Sequence, residues 1–163
     1  MGQIFISYRR SDSSDATGRL CDRLRQRFGP DALFMDVDSI LPGIDFQQRI
    51  RAAIFESHVL LVIIGNDWIE ARFDDGRRRL DEPNDYVRIE IETAFEAGLV
   101  VVPVLVRDAV MPHAEQLPES LRRLAKHNAA EVRSGRNFDA QFTSLAVSLE
   151  THLVRRGVAA IGA

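Results

Sequence analysis

The run His58-Val59-Leu60-Leu61-Val62-Ile63-Ile64, closed by Gly65, narrows the fold more than any other segment of the chain. Six consecutive aliphatic residues, rich in β-branched side chains, have no polar face to offer water. Such a strand must be covered on both sides, which is the condition of a central strand in a parallel sheet with helices on each face. The flanking sequence agrees. Further strands are predicted at Gln3–Tyr8, Ala32–Met35, Leu99–Val106 and Ala129–Val132. Helical periodicity falls between them, from Ser13 to Phe28, Asp45 to Glu56, Asp85 to Ala97 and Phe138 to Val154. Strand–helix alternation of this kind predicts an α/β fold, a flavodoxin-like doubly wound sheet of five parallel strands in the order 2-1-3-4-5 with helices on both faces.

In that order the sheet reverses between the first and third strands. Ligands of such sheets bind in the crevice beyond the strand ends at the reversal. The segments converging there are Tyr8–Ser11, the connection that starts at Gly65, and the nearby loop Asp36–Gly43. The first strand ends in Ser7-Tyr8-Arg9-Arg10, and paired guanidiniums at a strand end suit phosphate or carboxylate oxygens. Taken alone, an arginine pair is as readily solvated or neutralised by neighbouring acids. On the helix Asp85–Ala97, Val87, Ile91, Ala94 and Phe95 form the apolar stripe. Glu90 stands at the edge of that stripe, one turn from Tyr86, which sets a carboxylate beside an aromatic ring at the mouth of the crevice. An edge-of-helix salt bridge is the plain alternative. Trp68 lies in the long polar connection Asn66–Asn84, together with Arg77-Arg78-Arg79.

Several chemistries are absent. No phosphate-loop, dinucleotide-fingerprint or nucleophile-elbow motif occurs. The four histidines are scattered, and no metal is expected. Asp36 and Asp38 are expected to serve their turn rather than a cation. The single cysteine, Cys21, shares a helical face with Leu20, Leu24 and Phe28 and reads as core. A net charge of −3 gives no reason to expect nucleic acid, and no apolar run approaches a membrane span, so a cytoplasmic location is expected. At 163 residues one domain is expected over 1–156, with 157–163 a tail or linker.

Three blocks, Phe5-Ile6-Ser7-Tyr8-Arg9-Arg10, the Phe34–Gly43 segment ending in Pro-Gly, and Asp85–Phe95, occur in the order and spacing of the Toll/interleukin receptor (TIR) domains. The chain resembles bacterial members and the NAD-consuming TIR domain of the axon-degeneration protein. This resemblance implies an NAD+ glycohydrolase or cyclase, with NAD+ as substrate and no separate cofactor. Glu90 would be the catalytic carboxylate, and Arg9, Arg10, Phe46, Trp68 and Tyr86 would bind the substrate. An ordinary carboxylate pKa would keep Glu90 ionised at neutral pH. The resemblance also implies homo-oligomers made through TIR–TIR contacts of the Asp36–Phe46 loop. An effector role in bacterial antiviral immunity is expected as well, and the weakly patterned tail Gly157–Ala163 motivates the expectation of a sensor domain beyond Ala163. A non-catalytic TIR–TIR signalling scaffold is the alternative, and binding of a nucleotide-like ligand without turnover is a third possibility.

Overall fold

In the computed structural model, which describes residues 3–35 and 42–157, five strands form one all-parallel sheet. The strands are β1 (Ile4–Ser7), β2 (Leu33–Phe34), β3 (Val59–Ile64), β4 (Val100–Leu105) and β5 (Ala130–Glu131), in the order β2-β1-β3-β4-β5. This is the expected order. The helices are α1 (Arg10–Phe28), α2 (Phe46–Phe55), α3 (Tyr86–Ala97) and α4 (Phe138–Arg155). Between β4 and β5 the chain makes two 3-10 segments, Ala114–Gln116 and Glu119–Lys126, in place of an α-helix.

β3 shows why its sequence is apolar throughout. Leu60, Val62 and Ile64 join a core layer with α2, α3 and the 3-10 segments, while Val59, Leu61 and Ile63 join the opposite layer with α1 and α4. A strand of period two between two helix layers has no solvated side. Leu20, Cys21, Leu24 and Phe28 of α1 are buried in the second layer, as their spacing predicted.

The helix starts are set by local chemistry. Asp45 caps α2 by accepting from the backbone N–H groups of Gln47 and Gln48, and Asp85 caps α3 by accepting from Arg88 N–H. Gly98 ends α3 in the left-handed conformation, φ +71°, that lets a glycine close a helix at no steric cost. In α1 the backbone at Ser13 is non-helical, which separates a first turn at Arg10–Asp12 from the periodic helix that follows.

That first turn carries a tie between elements. The buried Asp12 carboxylate accepts from Gly65 N–H (2.9 Å) and Asp67 N–H (2.7 Å), joining α1 to the segment that leaves β3. A side chain at Gly65 would begin 2.6 Å from both carboxylate oxygens, so this close approach requires glycine. Burial pushes the Asp12 carboxyl above its ordinary pKa, opposed by the two backbone donors.

The connection Asn66–Asn84 is long but ordered. Trp68 and Leu80 anchor it in the core at 0% exposure. Between them Arg72 and Arg78 form an antiparallel bridge, with Gly76 at φ +90° making the turn. Among the described residues no helix is long and apolar enough to cross a membrane. The acids Asp36 and Asp38 lie outside the described residues, as does 158–163 of the expected tail.

Candidate functional site

The C-terminal end of β1 and the N-terminal end of α3 meet at a cavity of about 290 Å³, lined among others by Ile6, Tyr8, Arg9, Arg10, Tyr86 and Glu90. It lies where the sheet reverses, because β1 sits between β2 and β3. Sequence separation is large, but three side-chain hydrogen bonds fasten the elements together. Ser7 Oγ donates to Glu90 Oε1 at 3.0 Å. Arg9 donates from both terminal nitrogens to Asp85, at 2.9 and 2.7 Å.

Glu90 is 5% exposed, which is unusual for a glutamate on a helix. The apolar residues of α3 and β1 remove it from water and leave Ser7 as its hydrogen-bond donor. Burial therefore pushes its carboxyl up to about 8. The Ser7 bond pulls the value down, the Asp85 charge pushes it further up, and Arg9 partly offsets that push. Burial therefore works against the ionised form expected for Glu90 at neutral pH, because desolvation raises its carboxyl well above the ordinary carboxylate range. The sequence pattern placed Glu90 at the stripe's edge, but its desolvation depends on what packs around it in space, which pattern along one helix does not reveal.

Between pH 4.5 and 8 the folded carboxyl holds its proton more tightly than the unfolded one, so stability falls as pH rises through that window. Glu90→Gln removes the ionisation while leaving an acceptor for Ser7. The variant should match wild type near pH 5 and exceed it at pH 9, by on the order of 3 kcal/mol. Urea denaturation at the two pH values measures the difference.

Arg9 is placed at the cavity, but not as expected. Both its terminal nitrogens are committed to Asp85, and the two side chains are 5% and 4% exposed. This is a buried fork-to-fork pair, and its function in the fold is to hold the capping residue of α3. Arg9 Nε is buried without a partner among the described residues. Arg10 also lines the cavity and is itself engaged.

Tyr86 (44% exposed) and Phe46 (41% exposed) stack across the mouth, with ring centroids 5.5 Å apart and planes at 30°. Phe46 opens α2 and Tyr86 opens α3, so the pair spans two helix N-termini. The preceding loop, Asp36–Phe46, is described only from residue 42 onward. Trp68 is the clear correction. It is 0% exposed, packs in the core with Leu80 and Val87, and does not line the cavity, so it has no face for a ligand. The substrate-binding role that the resemblance implied for Trp68 is closed to a side chain at this depth, which instead anchors the long connection to the core.

Arg79 is one of three consecutive arginines, and nothing in the sequence sets it apart from Arg77 and Arg78. In the structure it lines the same cavity. A second cavity, of about 700 Å³, runs from the mouth past Ile44, Phe46, Phe73 and Asn84, and Arg79, Asp85 and Tyr86 belong to both linings.

Comparison with known proteins gives one family. The profile described as TIR domain matches residues 4–146. No curated protein sequence matches. Among solved structures, the chain is similar to the TIR domains of the activated Roq1 resistosome that recognises the pathogen effector XopQ. The identity is 16%, the TM-score is 0.66, and 91% of this chain and 99% of that chain are covered. It is similar to the TIR domain of the Toll-related receptor TRR-2 from Hydra magnipapillata, at 15% identity and TM-score 0.57, over 95% and 99% of the two chains. It is also similar to a metazoan TIR-STING receptor from C. gigas in complex with 2',3'-cGAMP, at 17% identity and TM-score 0.53. There the match covers 88% of this chain but only 39% of the receptor chain. At these identities the likeness speaks to the fold.

Proposed function

The chain belongs to the TIR domain family, and on that footing we propose that it cleaves the nicotinamide–ribose bond of NAD+, with Glu90 as the catalytic carboxylate. The observation that carries this reading is a single glutamate, buried in the wall of a cavity at the sheet reversal and oriented by Ser7. Buried carboxyl groups with raised pKa values are costly to stability and concentrate at functional sites.

The chemistry fits one carboxylate. In NAD+ the pyridinium is already cationic, so the C–N bond electrons pass to nitrogen and nicotinamide leaves neutral, with no general acid required. The ribose left behind is oxocarbenium-like, and a carboxylate beside it stabilises the developing charge. Approach of the substrate's own positive charge favours loss of the Glu90 proton, since an opposite charge lowers a carboxyl pKa. Substrate binding and ionisation are thereby coupled. Water then adds to the ribose and releases a proton, giving ADP-ribose. Attack by a nucleophile within the ADP-ribosyl group gives a cyclic product instead. Tyr86, which lines the same cavity as Glu90 and is held by its stack on Phe46, offers an aromatic face to the flat nicotinamide ring.

Self-association through the Asp36–Phe46 loop, and a role as an immune effector attached to a sensor domain, belong to the same proposal. A cavity bordered by Ile44, Asp45 and Phe46 would be completed by a neighbouring copy. Nicotinamide release, followed by chromatography over a series of protein concentrations, tests both parts. Release is expected to rise more steeply than in proportion to protein. Oligomers that form without releasing nicotinamide would instead favour the signalling-scaffold reading.

A further inference from the structure

The connection Asn66–Asn84 contains four arginines, and three are neutralised. Arg72 pairs with Glu70. Arg77 pairs with Asp75 and Glu82. Arg78 forks onto Asp81 and also donates to the carbonyl of Gln116. Arg79 alone of the four makes no ion pair with any described residue. Its guanidinium lies 4.5 Å over the Phe73 ring, half-buried, in the wall shared by the two cavities. Stacking on a ring fixes the plane of the fork and leaves its N–H edges available in that plane.

Asp85 lies in the same shared wall, where a bare carboxylate would repel an anion. Arg9 cancels it through the buried pair. The shared wall is therefore a neutral pair plus one oriented cation. Glu90 lines only the first cavity, while Phe46, Phe73 and Asn84 line only the second. A ligand reaching from Glu90 past Tyr86 must carry its middle beside Arg79, and the second cavity is the place for its far end.

We infer that Arg79 is the diphosphate-binding residue of this site, and that the second cavity holds the nucleoside half of a dinucleotide beyond the diphosphate. The inference rests on the reading of the site as one for NAD+, and it moves the phosphate role from Arg9, which is committed to Asp85, to Arg79. One cation at the junction of two cavities selects ligands with a charged linker between two ring-bearing halves, and disfavours phosphate-free nucleosides.

Calorimetric titration of the concentrated protein with ADP-ribose, and with nicotinamide riboside as a phosphate-free probe, tests this. Arg79→Ala should weaken ADP-ribose binding roughly 10- to 100-fold and leave the riboside unchanged. Arg79→Lys should fall between, because a lysine restores charge but not the fork. Thermal unfolding of both variants should match wild type, since no ion pair is broken. Equal losses for both ligands, no loss for ADP-ribose, or a wild type that binds no ADP-ribose would each overturn the assignment. The two readings fail separately. Arg79-dependent ADP-ribose binding with no nicotinamide release from NAD+ would overturn the cleavage reaction and keep the binding residue. Release with an unchanged KM in Arg79→Ala would do the reverse.

Discussion

Glu90→Gln is expected to reduce nicotinamide release from NAD+ by at least about 100-fold, with the loss in kcat rather than in KM. Glutamine keeps the shape and still accepts from Ser7 Oγ, which is 3.0 Å from the carboxylate in the wild type. What it lacks is the negative charge that, in the proposed reaction, would stabilise an oxocarbenium-like ribose. Removing one oriented electrostatic partner of a transition state costs about 100- to 1,000-fold in many enzymes. The pH profile gives an independent signature. If the ionised form of Glu90 is the active one, kcat/KM of wild type should climb with pH toward about 8 and then level, following the carboxyl of the free protein. Ser7→Ala should move that rise to higher pH, because the hydroxyl favours the ionised form. A flat profile across pH 6–9 would show that Glu90 ionisation does not limit the reaction.

Asp85→Ala should destabilise the fold by about 3–5 kcal/mol, because it strands the Arg9 guanidinium in the interior without its partner. About 1 kcal/mol of a cap at the start of α3 is lost with it. For a domain of this size the midpoint of thermal unfolding should fall by about 10 °C or more. The double variant Arg9→Met/Asp85→Ser separates the contributions. It removes both charges and keeps a capping hydroxyl, so much of the stability should return. Recovery would show that the single variant's cost is mainly an unpaired buried charge, whereas a double variant no more stable than the single one would show that the tie between β1 and α3 is itself essential.

The strands and helices were legible because their signals are local. An unbroken aliphatic run predicted β3, and residues spaced by three and four predicted the buried face of α1. Strand order followed from alternation and handedness. The connection Asn66–Asn84 was less legible, because polar residues that pair with one another resemble solvated ones in a sequence. Trp68 shows the same limit from the apolar side. An isolated tryptophan has no periodic context, so nothing in the string distinguishes a core anchor from an exposed stacking surface.

The site divides along the same line. Sequence by itself determined the architecture, the convergence of the first strand's end with the start of α3, and the candidacy of Glu90 within a family motif. Tertiary structure decided the electrostatics. The partner of Arg9 lies 76 residues away, and the donor to Glu90 lies 83 residues away. Neither pairing has a local signature. The carboxyl is pushed toward 8 by desolvation, a property of everything packed around it. Arg79 likewise stands apart from Arg77 and Arg78 only once their acids are seen to be taken, since availability of a charge depends on its neighbours in space.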